Sequence, residues 1–256
     1  MFAALSSHTT TLPEVSGDYW QQSRRPLASL AFMAPLLLLY EIGVLVLGSH
    51  AVRNGADVWL RQLLDLVGFS QYFLLPLLTV AILLAWHHLT RQPWRVSLGL
   101  FYRMLAECAV LAVVLVIIAR VQDSLLSVFM PGMSQTAIRA AIWDSFAGSL
   151  AEIVGYVGAG VYEELLFRLM MLPVTAWLLK RCGCSTVQSL VGAIAVTSLL
   201  FAAAHHIGPE GEPIVLRNFL FRTIAGVFFA TLFVYRGFGI AAGTHALYDI
   251  LVSVWY

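Results

Sequence analysis

Long apolar runs separated by short polar clusters dominate the chain. A helix needs about 20 mostly apolar residues to cross the hydrocarbon core of a bilayer, and seven segments come near that length. Helices are the predicted form, because an open sheet edge leaves backbone groups unsatisfied in hydrocarbon. The seven predicted spans are approximately Leu27–Gly48, Tyr72–Leu89, Met104–Arg120, Gly148–Met170, Val187–His205, Ile214–Tyr235 and Phe238–Trp255. This pattern predicts an all-α fold, a polytopic transmembrane helical bundle.

Three segments of the chain do not fit a simple division into seven spans and short loops. Residues 1–26 form a polar N-terminal segment, and residues 27–256, which show no repeat or low-complexity tract, are predicted to form one transmembrane domain. Between the first two spans, Val58–Gly68 has apolar residues on one helical face and charges elsewhere, which is typical of an interfacial helix. The fourth segment stays apolar from Phe146 almost to Leu179, too long for one span. Either its helix projects from the bilayer or Gly158–Gly160 breaks it.

Composition supports a membrane protein and excludes one class of partner. Hydrophobic residues make up 60% of the 256 residues and charged residues 11%, against about 25% charged in an average soluble domain. Lipid is the solvent that suits such a chain, so the lipid bilayer is an expected partner. The formal net charge of +1 provides no basic field, so nucleic acid is not an expected partner.

Ionisable groups inside the predicted spans indicate where chemistry is located. Burying such a group in hydrocarbon costs several kcal/mol, so each one is a functional hypothesis by default. They are concentrated in the fourth, fifth and seventh predicted spans. The groups of interest are Glu163, Glu164, Arg168, His205, His245 and Asp249.

The spacing of these groups predicts different roles for them. Glu164 and Arg168 are four residues apart on one helix face, so they can pair. Glu163 is rotated by about 100° from its neighbour, which leaves its carboxylate available. Two adjacent acids in different surroundings can separate an ionised base from a structural ion. His245 and Asp249 are also one turn apart.

Helix order brings part of this set together. The fourth and fifth spans are expected to be antiparallel, which places Glu163 near His205; His245 joins them only if the seventh span packs against this pair. A carboxylate with two imidazoles in a partly dry pocket can hydrolyse an amide, because the carboxylate deprotonates a bound water. An imidazole and a polar neighbour then stabilise the oxyanion. The sequence offers no evident serine or cysteine nucleophile.

Three short motifs on these residues resemble a known family, the CPBP intramembrane proteases. This family includes the type-2 (glutamate) CAAX prenyl proteases and the lysostaphin-resistance-like bacterial proteins. The motifs occur in the family's order, each on its own predicted helix, and the resemblance covers about residues 148–256. They are EExxxR at Glu163-Glu164-Leu-Leu-Phe-Arg168, FxxxH at Phe201-Ala-Ala-Ala-His205 and HxxxN/D at His245-Ala-Leu-Tyr-Asp249.

The resemblance implies an intramembrane endopeptidase whose active site lies in a cavity within the membrane. It implies Glu163 as the general base and His205 as a holder of the water. It implies His245 and residue 249 as stabilisers of the oxyanion. A peptide or membrane protein would be the substrate, with no cofactor and no metal. Supporting residues would be Glu164, Arg168 and Phe201, the last packing against an imidazole or the cavity lid.

Position 249 departs from the well-studied members, which have Asn where this chain has Asp. An ionised Asp cannot donate a hydrogen bond to an oxyanion. Asp249 is therefore protonated, or it orients His245, or it ligates a metal. A CAAX substrate does not follow from the resemblance either, because many relatives belong to organisms that do not prenylate proteins.

Three alternatives stay open at the level of sequence. The carboxylates and imidazoles are also zinc ligand types, so a metal-dependent protease with zinc as cofactor is one, although no HExxH is present. A non-catalytic membrane scaffold or immunity protein is the second. A transporter with a proton relay is the third, but no inverted repeat supports it. In each case the expected location is a multi-pass position in the inner membrane of a bacterial cell.

Overall fold

The computed structural model describes residues 18–48, 51, 53–129, 150–208 and 211–255. All of the regular structure in these ranges is helical, which confirms the predicted all-α class. Residues 1–17 of the predicted polar N-terminal segment and residues 148–149 of the fourth predicted span lie outside them. The single-domain prediction is not tested.

Ten α-helices and one π-helical segment make up the described part of the chain, here numbered in chain order. The π segment is Leu165–Met171 and joins α6 to α7. The α-helices are α1 (Tyr19–Ser23), α2 (Pro26–Leu47), α3 (Gly55–Leu66), α4 (Leu74–Leu89), α5 (Leu98–Phe129), α6 (Leu150–Glu164), α7 (Leu172–Arg181), α8 (Thr186–Ala204), α9 (Leu216–Arg236) and α10 (Phe238–Trp255).

Four of the described helices are long and apolar enough to cross a membrane: α2, α5, α8 and α9. They support an integral membrane protein. The predicted number of about seven spans is not confirmed, because α4 is shorter than a full span and the fourth predicted span is divided between α6 and the π segment.

Local sequence signals explain where several of these helices begin and end. Pro26 lies in the first turn of α2, where its missing N–H removes no helical hydrogen bond. Ser185 and Gln188 form a capping box that satisfies free N–H groups at the start of α8. Gly237 has a φ of 88°, which lets the chain leave α9 and enter α10 at once.

The functional helices approach each other closely because small residues lie between them. Helix α10 packs against α2, α5, α6 and α9, and α6 also packs against α2. A Cβ atom on Gly160 would lie 2.7 Å from the backbone nitrogen of Ala246 on α10. A Cβ atom on Gly158 would lie 2.2 Å from the ring of Tyr40 on α2. As in other membrane bundles, small residues allow backbones into contact.

The proposed break at Gly158–Gly160 is wrong, because α6 continues through these glycines. An interior glycine weakens a helix by about 1 kcal/mol, and the close packing on α2 and α10 offsets that cost. The helical geometry changes further on, in the π segment Leu165–Met171. Such wide turns often occur at functional sites. The other interpretation, a helix that projects from the bilayer, is not tested.

The amphipathic segment after the first span is helical, as predicted, and forms α3. Its Leu60 is buried against the bundle, whereas Leu63 and Leu66 are 54% and 83% exposed. Helix α3 packs on α6, so it lies beside the helix that carries the two adjacent glutamates. Its position at the membrane interface stays a prediction.

The contact between α6 and α10 leads to the first testable prediction. We expect Gly160→Ala to lower the stability of the protein by about 1–3 kcal/mol, because its Cβ would push against the α10 backbone. The measurement is thermal unfolding in detergent micelles. Gly99→Ala is the matched control, since nothing lies within 4 Å of a Cβ there. Equal melting temperatures for the two variants would contradict close packing at Gly160.

Candidate active site

Two adjacent carboxylates at the C-terminal end of α6 are buried inside the bundle. Glu163 is 8% exposed and Glu164 is 0% exposed. Because successive helical residues point about 100° apart, the two side chains meet different neighbours.

Glu164 lies between two nitrogen groups. Its Oε2 is 3.1 Å from Arg168 Nε, and its Oε1 is 2.8 Å from His245 Nδ1 on α10. The ion pair between Glu164 and Arg168 that the spacing predicts is confirmed. The contact with His245 was not predicted, because it joins residues 81 positions apart and no local pattern reports it.

Aromatic rings enclose the Arg168 guanidinium. Its central carbon lies 4.4 Å from the ring centre of Phe201 and 5.6 Å from that of Phe229, distances typical of cation–π contacts. Its Nη2 donates to the carbonyl of Gly226 at 3.3 Å. Together with the ion pair to Glu164, these contacts stabilise the buried cation.

The same two rings contact the imidazoles. Phe201 lies edge-on to His205, with ring centres 4.9 Å apart, which agrees with the predicted packing of Phe201 on an imidazole. Phe229 stacks on His245, with centres 4.4 Å apart and planes 16° from parallel. Sequence reasoning missed Phe229, which lies in an ordinary apolar stretch of α9 with no motif to mark it.

Glu163 faces two imidazoles. Its Oε2 is 3.8 Å from His205 Nε2 and 3.8 Å from His245 Nε2. The structure therefore brings together the three side chains that the motifs place on separate helices. These distances are too long for direct hydrogen bonds. Within the described part of the chain, this oxygen has no hydrogen-bond partner.

The other oxygen of Glu163 has a partner that the sequence did not reveal. Asn54 Nδ2 donates to Glu163 Oε1 at 2.7 Å. A helix-start signal marks Asn54, because Asn is favoured just before a helix. Nothing in the sequence relates it to a residue 109 positions away.

A backbone carbonyl fixes the tautomer of His205. Its Nδ1 lies 2.8 Å from the carbonyl oxygen of Phe201. A carbonyl can only accept a hydrogen bond, so Nδ1 carries the proton. In the neutral ring, Nε2 is then an acceptor, and it is this nitrogen that points toward Glu163.

Asp249 lies one turn beyond His245 on α10, as its spacing predicts. Its Oδ2 is 3.5 Å from His245 Nε2. Of the three interpretations of residue 249, this placement favours a carboxylate that acts on His245. Its part in any reaction stays a proposal.

These side chains border one cavity of about 420 Å³, lined by residues that include Glu163, His205 and His245. At its rim Arg222 forms an ion pair with Glu212. Burial raises the pKa of Glu212, but the hydrogen bond from Arg222, together with the positive charges of Arg222, His205 and His206, outweighs burial and holds the pKa below its usual range. Sequence reasoning did not place these two residues at the cavity.

The zinc alternative has the right donor types at this site, since imidazoles and carboxylates are common zinc ligands. Among the residues that the structure describes, no group of three or more His, Cys, Asp or Glu side chains is arranged to hold a metal ion. Experiment therefore has to distinguish a mechanism that uses water activated by a carboxylate from one that uses a metal ion.

Comparison with known proteins supports the resemblance. Residues 146–251 match a family model described as type II CAAX prenyl endopeptidase Rce1-like. The match contains all three motifs and confirms the predicted family resemblance over this segment. No curated protein and no solved structure matched the chain in the corresponding comparisons.

The contrast between the two carboxylates leads to a second prediction. We expect Glu164→Gln to destabilise the protein by about 3–5 kcal/mol, because it leaves Arg168 buried without its counter-ion. Glu163→Gln should change stability by less than about 1 kcal/mol, since the amide oxygen can still accept from Asn54. Thermal unfolding of both variants in detergent measures the difference. Similar losses for the two variants would contradict this contrast between the two carboxylates.

Proposed function

We propose, from the match of residues 146–251 to the type II CAAX prenyl endopeptidase Rce1-like family model, that this chain is an intramembrane endopeptidase. It would hydrolyse a peptide bond with water activated by Glu163. One observation carries the proposal. An unpaired oxygen of Glu163 faces the Nε2 atoms of His205 and His245 at the same distance of 3.8 Å.

The gap between these three atoms suits a water molecule. A water can bridge polar groups that are too far apart for direct contact. In the proposed complex it donates one hydrogen to Glu163 Oε2 and the other to His205 Nε2, whose tautomer makes it an acceptor. Both of its hydrogens are then engaged, and a lone pair on its oxygen is free to attack.

The reaction follows from this arrangement. As the water oxygen attacks the substrate carbonyl carbon, one of its protons passes to Glu163 and a tetrahedral intermediate forms with negative charge on the former carbonyl oxygen. The intermediate collapses, the carbon–nitrogen bond breaks, and Glu163 returns the proton to the leaving amine. Atoms and charges balance without a covalent enzyme intermediate or a second reagent.

In the proposal, His245 stabilises the negative oxygen of the intermediate. Its Nδ1–H donates to Glu164, and carboxylates at 2.8, 3.5 and 3.8 Å surround its ring. Because Nδ1–H is donated to Glu164, Nε2 carries a hydrogen to donate only in the imidazolium form, and the proposal assigns this form to His245. Asp249 then acts by stabilising and orienting His245 and makes no contact with the oxyanion. An ionised Asp can fill this role.

The remaining motif residues support this constellation. Arg168 holds Glu164, and Glu164 holds His245, so the orientation of the second imidazole depends on a buried ion pair. Phe201 provides the carbonyl that fixes His205 and a ring that packs on it. We propose that the cavity bordered by these groups admits a peptide or membrane-protein segment from the bilayer of a bacterial inner membrane.

The general-base role gives a third prediction. We expect Glu163→Gln to lower kcat for cleavage of a reporter peptide in proteoliposomes by at least about 100-fold, because an amide cannot take the proton from water. His205→Ala should cause a similar loss. The control is His88→Ala, an exposed histidine at the end of α4 that should leave the rate unchanged. Normal cleavage by Glu163→Gln would overturn the proposal.

Chelation separates the proposal from the zinc alternative. We expect EDTA or a stronger zinc chelator, added at concentrations that strip catalytic zinc, to leave cleavage unchanged. The assay is paired with metal analysis of the purified protein. Loss of activity on chelation that returns with added Zn²⁺ would favour the metal-dependent mechanism on the same residues.

A further inference from the structure

A residue outside the three motifs contacts the proposed base. Asn54 precedes α3, well outside the segment that matches the family, and its Nδ2 donates to Glu163 Oε1 at 2.7 Å. It is the one described neighbour that hydrogen-bonds to either carboxylate oxygen of Glu163. This contact joins α3 to the chemistry on α6.

Both ends of the Asn54 amide are engaged. While Nδ2 donates to Glu163, Oδ1 accepts a hydrogen bond from the backbone nitrogen of Ala56 at 2.9 Å and so caps the start of α3. Asp and Ser also cap helices well. Of the three, only Asn combines a carbonyl-type acceptor for the cap with an N–H donor for a carboxylate.

The start of α3 is itself firmly attached to the bundle. Asp57, fully buried in its first turn, accepts hydrogen bonds from Tyr40 on α2 at 2.8 Å, from Arg53 at 2.8 Å and from Arg61 at 2.6 Å. A buried carboxylate with three donors gives the surrounding backbone little freedom. The position of Asn54 is therefore set by the fold.

The direction of the contact determines its effect on Glu163. A hydrogen bond to Oε1 fixes the rotation of the carboxylate, and in that rotation Oε2 points at the two imidazole Nε2 atoms. Without it, a carboxylate at the end of a side chain with three rotatable bonds can turn away from the water position. Small misplacements of reacting groups reduce rates strongly.

We propose that Asn54 is a positioning residue for the peptidase reaction, which holds the Glu163 carboxylate in its productive orientation. The inference rests on the proposed function of Glu163. Asn54 is absent from the residues that line the cavity, so it acts through Glu163 and makes no contact with the substrate. Helix α3 then belongs to the working site, although the motifs lie elsewhere.

The test uses three substitutions in the full-length protein in proteoliposomes. Asn54→Asp and Asn54→Ser keep an acceptor for the cap and lose the amide donor, whereas Asn54→Ala loses both. We expect all three to lower kcat by about 10- to 100-fold, the factor that corresponds to one hydrogen bond to a charged group. KM should stay within about threefold of wild type. Asn54→Ser should keep the wild-type melting temperature. Asn54→Ala, which loses the cap, and Asn54→Asp, which places a second carboxylate beside Glu163, should both melt lower.

A purely structural role gives a different pattern. If Asn54 only caps α3, Asn54→Ser restores both stability and kcat, and the inference is overturned. A change confined to KM would overturn it as well, because it would indicate contact with the substrate.

Glu163→Gln, assayed beside these variants, separates this inference from the proposed function. An inactive Glu163→Gln with fully active Asn54 variants would refute only the positioning role. An active Glu163→Gln would refute the proposed function, and the inference with it. In the double variant Asn54→Ser/Glu163→Gln, we expect no further loss beyond that of Glu163→Gln, because residues that act as a unit are not additive.

Discussion

A carboxylate with no access to solvent, inside a chain that is 60% hydrophobic, is the constraint on which the rest of the site depends. Glu164 can be ionised there only if positive or donating groups surround it. Arg168 and His245 meet this need from two different helices. Arg168 is also buried, and its positive charge is stabilised by the rings of Phe201 and Phe229 and by the carbonyl of Gly226. The contacts of the buried Glu164–Arg168 pair therefore join α6, the π segment, α8, α9 and α10.

The neighbouring carboxylate has different partners, because the first is the one that pairs with Arg168 and His245. Glu163 has one oxygen held by Asn54 and the other directed at two imidazoles. Two acids that are adjacent in sequence thus have different surroundings through the 100° rotation between successive helical residues. The same division applies to the imidazoles. His205 is oriented by a backbone carbonyl and His245 by a carboxylate. Nε2 is an acceptor in the neutral form of either ring, so the donor role proposed for His245 requires its imidazolium form.

Close backbone packing makes this arrangement possible. Gly160, about one turn before Glu163, lets α6 approach the Ala242–Ala246 region of α10, which contains His245. In lipid the hydrophobic effect does not draw helices together, so contact between small residues has to bring them close. The glycines that suggested a break are therefore the means by which two distant parts of the chain share a site.

The sequence by itself determined the features that depend on neighbours within one or two turns. These are the helical class, the pairing of Glu164 with Arg168, the placement of Asp249 beside His245, and the motifs that indicate a protease family. Only the tertiary structure decided the contacts across 81 and 109 positions, from Glu164 to His245 and from Asn54 to Glu163. Local periodicity records which residues share a helix face, but not which face another helix covers, because that choice depends on how all the helices pack together.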